Sequence, residues 1–170
     1  MELNKTYFYT ATILNWNHLL HDDKFKLIII DSLKHLVKSK LIRVYGYVIM
    51  PNHIHLIWQM LKMNGKEMPH ASFMKFTGHQ FLKQLRITNM ELAPYTVNSS
   101  TQKHHFWERE SLAIELYTED IFLQKLNYIH NNPVKSKWQL AQLACDYHYS
   151  SAAFYENGID RFNFLTHFRE

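Results

Sequence analysis

Between Ile42 and Met60 lie two runs rich in β-branched and aromatic residues, Ile42–Met50 and His53–Met60, separated only by Pro51-Asn52. A two-residue interval is far too short for a crossover connection, so the two runs pair as an antiparallel hairpin with Pro-Asn at its turn. Side chains alternate along a strand, which puts His53, His55 and Ile57 on one face of the second run. Ile54, Leu56 and Trp58 share the other face and make a good core row. Two imidazoles on the same side of a rigid strand have the spacing of a two-nitrogen metal clamp. Taken alone, His-x-His reads more simply as the solvated face of an antiparallel sheet.

The other elements arrange themselves around this hairpin. Tyr7–Ile13 alternates and reads as a strand. Asp22 and Asp23 are N-cap residues for a helix over about Lys24–Lys40, whose Ile29, Ile30, Leu33, Leu36 and Val37 recur at helical spacing. A loop over Leu61–Pro69 leads to a second helix over about Ala71–Leu85, and 88–103 reads as polar and irregular. Phe106–Leu116 contains a fourth strand. Thr118-Glu119-Asp120 opens a last clear helix, its acids near the positive end of the helix dipole, and Pro133 stops it after about Asn131. From Lys135 onward the chain is aromatic and polar with weak periodicity. The order β-α-β-β-α-β-α is the split βαβ, ferredoxin-like α+β pattern with one extra helix.

The chain of 170 residues is the size of one domain, about 1–134 forming its core and about 135–170 a C-terminal extension. Lys+Arg 19 against Asp+Glu 15 leaves a formal charge of +4, a mild basic excess compatible with a polyanionic partner. Cys145 is the one cysteine, which excludes an intrachain disulfide framework and a cysteine-based zinc centre. Met1–Lys5 lacks the basic-then-apolar pattern of a signal peptide, and no apolar run approaches the ~20 residues of a membrane span. A soluble, cytoplasmic protein is expected.

At about 100° per residue, Ile121, Phe122, Lys125, Leu126 and Ile129 share a face of the last helix, with Tyr128 at its edge. Asn132 lies one turn beyond Tyr128. If this helix packs beside the histidine strand, two imidazoles, an amide oxygen and a phenol meet. Two nitrogens and one oxygen on an open site suit Mg²⁺ or Mn²⁺, with Zn²⁺ as an alternative. Such a cation polarises a phosphoryl oxygen, and a phenol beside it is a nucleophile able to form a phosphotyrosine. Alone, Tyr128 reads as a half-buried helix tyrosine and Asn132 as a C-cap. His130 projects from the far side of the helix, toward solvent or phosphate, and Asn52 serves the turn. Arg43, Lys135, Lys137, Trp138 and Tyr149 are candidates for pairing with phosphates or stacking on bases. Ser150 and Ser151 lack the setting of a hydrolase nucleophile.

Val48-Ile-Met-Pro-Asn-His-Ile-His-Leu-Ile57 resembles the histidine–hydrophobic–histidine motif of the HUH endonucleases, in particular the single-tyrosine and REP-associated tyrosine transposases. Tyr7–Thr12, Phe106-Trp-Glu-Arg109, Tyr128-Ile-His-Asn-Asn-Pro-Val134 and Asp146-Tyr-His-Tyr-Ser-Ser-Ala152 resemble the REP-associated branch in the same order, so the likeness spans nearly the whole chain. The resemblance implies that His53 and His55 bind the metal, that Asn132 is the third ligand and that Tyr128 is the nucleophile. It implies an HUH-type fold and a single-stranded DNA substrate cut beside a hairpin or repeat. A 5′-phosphotyrosine would be retained, and strands rejoined without ATP, by a nucleoid-associated monomer or homodimer. Lys135-Ser-Lys-Trp138 stands where the family continues with an Arg- and Gly-containing stretch, a difference that touches hairpin recognition. The competing reading is a domesticated single-strand DNA- or RNA-binding module without turnover, which needs none of the four site residues.

Overall fold

The predicted hairpin forms the middle of the fold. In the computed structural model, which describes residues 1–98 and 103–170, β2 (Ile42–Ile49) and β3 (His53–Met60) pair antiparallel about Pro51-Asn52. β1 (Thr6–Thr12) lies on the other side of β3, and β4 (Leu112–Glu115) lies beside β1. The sheet order β2-β3-β1-β4 is the fully antiparallel arrangement expected of a split βαβ chain. Helices α1 (Asp23–Lys38), α2 (Pro69–Ile87) and α3 (Glu119–Asn131) follow β1, β3 and β4, and a short α4 (Ala152–Asn157) lies in the tail. Of the stretch expected to be irregular, residues 99–102 lie outside the described part; Ala93–Tyr95 is a single 3₁₀ turn that buries Tyr95.

The local chemistry explains these boundaries. The Asp22 carboxylate accepts the Lys24 N–H at 3.1 Å and starts α1, while Thr118 Oγ1 accepts the Ile121 N–H at 3.3 Å and starts α3. α1 buries Phe25, Ile29, Ile30, Leu33 and Leu36. With α2 it covers the sheet face that carries Ile54, Leu56 and Trp58, where Trp58 meets Phe73 edge-on. α3 covers the opposite face. This is where the reading of the histidines as a solvated row fails: His53 is 7% exposed and His55 5%.

α3 lies close to the sheet because β2 has a glycine under it. A Cβ on Gly46 would stand 2.7 Å from Leu126 Cδ1 and 3.1 Å from Ile129 Cδ1, inside normal van der Waals contact. Gly46 is also where β2 shifts register against β3. The buried face of α3 is Phe122, Leu126, Ile129 and His130, whereas Ile121, expected on that face, is exposed.

The tail beyond α3 covers the outer edge of β2, which would otherwise present unpaired backbone groups. Ile49 N–H donates to the Tyr149 carbonyl (2.9 Å), Ser151 N–H to Tyr47 (2.9 Å) and Thr166 N–H to Val44 (2.9 Å). The Tyr147 and Tyr155 hydroxyls donate to the Ile49 and Tyr45 carbonyls, both at 2.7 Å. Weak periodicity concealed this segment because it folds as single bridges and turns, with one helix of six residues.

Candidate active site

Strand register places the clamp. His53 pairs with Thr12 and His55 with Thr10 across β1 and β3, so Phe8, Thr10 and Thr12 share the histidines' face. Thr10 Oγ1 lies 2.7 Å from His55 Nδ1, and Asn52 Oδ1 lies 2.7 Å from His53 Nδ1. With Nδ1 protonated, each ring donates to its neighbour's oxygen and turns its Nε2 lone pair away from it, which is how metal-binding imidazoles are oriented. The rings are 4.7 Å apart, centroid to centroid. Asn52 thus serves His53 as well as the turn.

Burial keeps both rings neutral. It is the main cause holding His53 down at about 4, with the Lys137 and Lys135 charges adding to it. His55 is held at about 3 by burial first, then by His53, Lys135 and Lys125. A neutral imidazole is the form that ligates a metal.

α3 supplies the other groups. The Tyr128 ring stands 5.4 Å from that of His55 and 6.0 Å from Phe8 in edge-on contacts, so phenol and clamp come together within one chain. Tyr128 is 43% exposed, open to a large substrate. Lys135 Nζ sits 4.1 Å from its ring centroid and Lys125 Nζ 5.0 Å from that of Phe8.

Asn132 keeps helical geometry (φ −59°, ψ −45°) although a proline follows, so the spiral of α3 runs on through it and its amide reaches the histidine strand. Asn132 Nδ2 lies 3.4 Å from His53 Nε2. These groups line a cleft of about 590 Å³, with Lys125, Lys135 and Lys137 at its rim.

Among the described residues no group of three or more His, Cys, Asp or Glu side chains is placed to hold a metal. The donor set here is two imidazoles and an amide. It nonetheless fits a divalent cation: His55 Nε2 is buried with no hydrogen-bond partner, and both Nδ1 atoms are already engaged. A buried polar atom without a partner is costly in a folded core and calls for an explanation.

The remaining sequence candidates divide by position. Lys135, Lys137 and Trp138 line the cleft, with the Trp138 ring 5.9 Å from His53. Arg43 is exposed on the histidines' face of the sheet but pairs with Gln59 near the far end of the strands, outside the cleft.

Tyr149 is not a surface group for stacking on bases. It is buried at the sheet edge, its ring under Lys26 Nζ (4.6 Å) and stacked on Phe162. Burial and its bond to Asp23 push its hydroxyl up to about 12.

His130 is likewise no solvent or phosphate group. It is buried, with Nε2 2.8 Å from Ser151 Oγ, and burial lowers it to about 4. The far side of α3 from Tyr128 is covered by the tail, which helix geometry alone does not reveal. Sequence reasoning also passed over Thr10, Lys125 and Trp16. Thr10 lay within the opening-strand motif, but only strand register shows that it reaches His55.

No protein-family model matches the chain, and no curated protein matches it. Among solved structures, it is similar to a REP-associated tyrosine transposase bound to a REP hairpin. The identity is 16%, the match covers 97% of this chain and 87% of that one, and the TM-score is 0.62. A second structure, described as a candidate transposase from Deinococcus radiodurans, aligns over 76% of this chain and 92% of its own at 13% identity, with a TM-score of 0.46. Over almost its whole length, then, the chain has the fold of a REP-associated tyrosine transposase, an α+β sheet of four antiparallel strands with helices.

Proposed function

We propose that the chain is a transposase of the HUH type: a metal-dependent endonuclease and strand transferase for single-stranded DNA, cutting beside a hairpin through Tyr128. The observation that carries this reading is the meeting in one cleft of the His53–His55 pair, its Nδ1 atoms occupied and His55 Nε2 unpartnered, with the Tyr128 phenol and the Asn132 amide. A pure binding module needs none of these four. His53 Nε2, His55 Nε2 and, with its amide turned over from the orientation that points Nδ2 at His53, the Asn132 Oδ1 would hold Mg²⁺ or Mn²⁺. Once bound, such a cation polarises a phosphoryl oxygen and stabilises the charge that develops on the transferring phosphate.

The chain's own groups do the rest. Lys125, Lys135 and Lys137 attract the phosphate backbone to the cleft rim. The edge-on contacts with His55 and Phe8 hold the Tyr128 ring in place, so the phenol oxygen approaches the phosphate from a fixed direction. Its attack forms the Tyr–O–P bond as the P–O3′ bond breaks. The phenol gives up a proton, and the departing 3′ oxygen ends as a free hydroxyl. The downstream fragment stays on the enzyme as a 5′-phosphotyrosine until a 3′-hydroxyl attacks it and reverses the step. The neighbour's REP hairpin supports a hairpin-flanked strand as the substrate class. Among the described residues no helix is long and apolar enough to cross a membrane.

The test uses hairpin oligonucleotides labelled at the 5′ or 3′ end, incubated with Mg²⁺ or Mn²⁺. A covalent adduct carrying only the 3′ label is expected, and Tyr128→Phe should abolish it. No adduct across a broad hairpin panel would leave a binding module as the better reading. Normal cleavage by Tyr128→Phe would remove Tyr128 as the nucleophile.

A further inference from the structure

Trp16 stands at the candidate site on a strained stretch of backbone. It is 59% exposed. Both Asn15 and Trp16 have positive φ, 54° and 57°, a region that side chains other than glycine occupy only when their surroundings hold them there. The surroundings do so here. Asn15 N–H donates to Glu108 Oε1 at 2.7 Å, and Leu14 N–H donates to the Phe106 carbonyl at 2.8 Å. The Trp16 carbonyl accepts Asn52 Nδ2 at 3.4 Å, from the same side chain that orients His53.

The result of this bracing is a large apolar ring held in water at the mouth of the cleft, its centroid 6.4 Å from that of His53. Trp138 approaches the same imidazole at 5.9 Å. Trp16 also lines an adjoining groove of about 600 Å³ whose other residues include Arg109, flanked by Glu108 and Glu110, so a strand leaving the clamp in that direction passes the indole.

We infer that Trp16 is a stacking platform for an unpaired nucleobase, the one adjoining the phosphate held at His53 and His55, with Trp138 walling the same subsite. The identity of the strand as DNA rests on the function proposed above; the platform itself rests on the exposed indole and the braced backbone that carries it. Stacking on an aromatic ring tolerates any base, because each has a π-face. The subsite therefore fixes where the strand lies and does not read its sequence.

The experiment measures equilibrium binding, in EDTA, of the same hairpin oligonucleotides bearing single-stranded flanks. The full-length chain is compared with Trp16→Ala, Trp16→Phe and Trp16→Gly, and an abasic site is walked along the flank. Trp16→Ala should weaken binding roughly 10-fold while Trp16→Phe retains most of it. One abasic position should cost the native chain a similar factor and cost Trp16→Ala nothing further. Trp16→Gly should lose binding yet unfold at or above the native temperature, since glycine removes the backbone strain.

Unchanged affinity for Trp16→Ala, or abasic losses that add fully to that of the variant, would overturn the inference. So would a change in oligomeric state in Trp16→Ala, which would make the indole a contact between copies. Adduct formation without abasic coupling removes the platform and leaves the endonuclease standing. Abasic coupling without any adduct does the reverse.

Discussion

Replacing Ser151 with alanine should unfold the protein much more readily than the loss of one oxygen suggests. The Ser151 hydroxyl is 1% exposed and joins three elements. It accepts the Tyr47 N–H of β2 at 2.9 Å, meets His130 Nε2 of α3 at 2.8 Å, and donates to the Tyr47 carbonyl at 3.2 Å. In Ser151→Ala the Tyr47 carbonyl keeps the Ser151-position N–H, which it already accepts at 2.9 Å. The Tyr47 N–H and His130 Nε2–H are both left buried without partners. Each such donor costs about 1–3 kcal/mol, so the loss should be about 2–6 kcal/mol, a large part of the 5–15 kcal/mol typical of a folded domain. Urea unfolding followed by circular dichroism measures it. The midpoint should fall by roughly 1–3 M with an unchanged slope, taking about 2 kcal/mol per M for a small protein. In a double-mutant cycle, His130→Phe should recover part of the loss, because it removes one of the stranded donors. A loss below about 0.5 kcal/mol, or strict additivity with His130→Phe, would refute the hub.

Thr10→Val removes the partner of His55 Nδ1 while keeping the side-chain shape; Mn²⁺ affinity by calorimetry should drop about 10–100-fold, and an unchanged affinity would mean that Thr10 does not orient the ring. His53, His55 and His130 all titrate lower in the folded chain, at about 4, 3 and 4, than the ~6.5 of an unfolded histidine. As pH falls below about 6.5 the unfolded chain takes up protons first, so stability is lost toward pH 4 by up to ~1.4 kcal/mol per unit for each group. Urea midpoints of the metal-free chain that stay flat from pH 7 to pH 5 would contradict this. Lys135→Gln should weaken single-strand binding and reduce the salt slope by about one charge's worth, which a titration at several salt concentrations reads directly. Gly46→Ala pushes a methyl toward Leu126 and Ile129; thermal unfolding should show a loss of about 1–3 kcal/mol, and an unchanged melting temperature would show that α3 does not depend on this close approach.

Local patterns carried most of the fold and singled out the four residues of the proposed site. Alternation, Pro51-Asn52, the Asp22 and Thr118 caps and the helical spacing of α1 are properties of neighbours in sequence, so the element order and the antiparallel hairpin were legible from the residues alone. His53 and His55 shared a face by parity, and Tyr128 and Asn132 were a turn apart by helical period. Parity and period do not say what lies across from a face. That the histidine face is covered by α3, that Thr10 lies opposite His55 in register, and that Ser151 returns to join His130 to Tyr47 are contacts between residues far apart in the chain. Packing of whole elements sets such contacts, and Tyr149, aromatic and polar in sequence, went into the sheet edge for the same reason. The sequence thus singled out by itself the groups on which the proposed chemistry rests. Only the tertiary structure decided that the two histidines are buried and neutral, with Tyr128 beside them in the same chain, because burial and proximity come from the packing of α3 on the sheet.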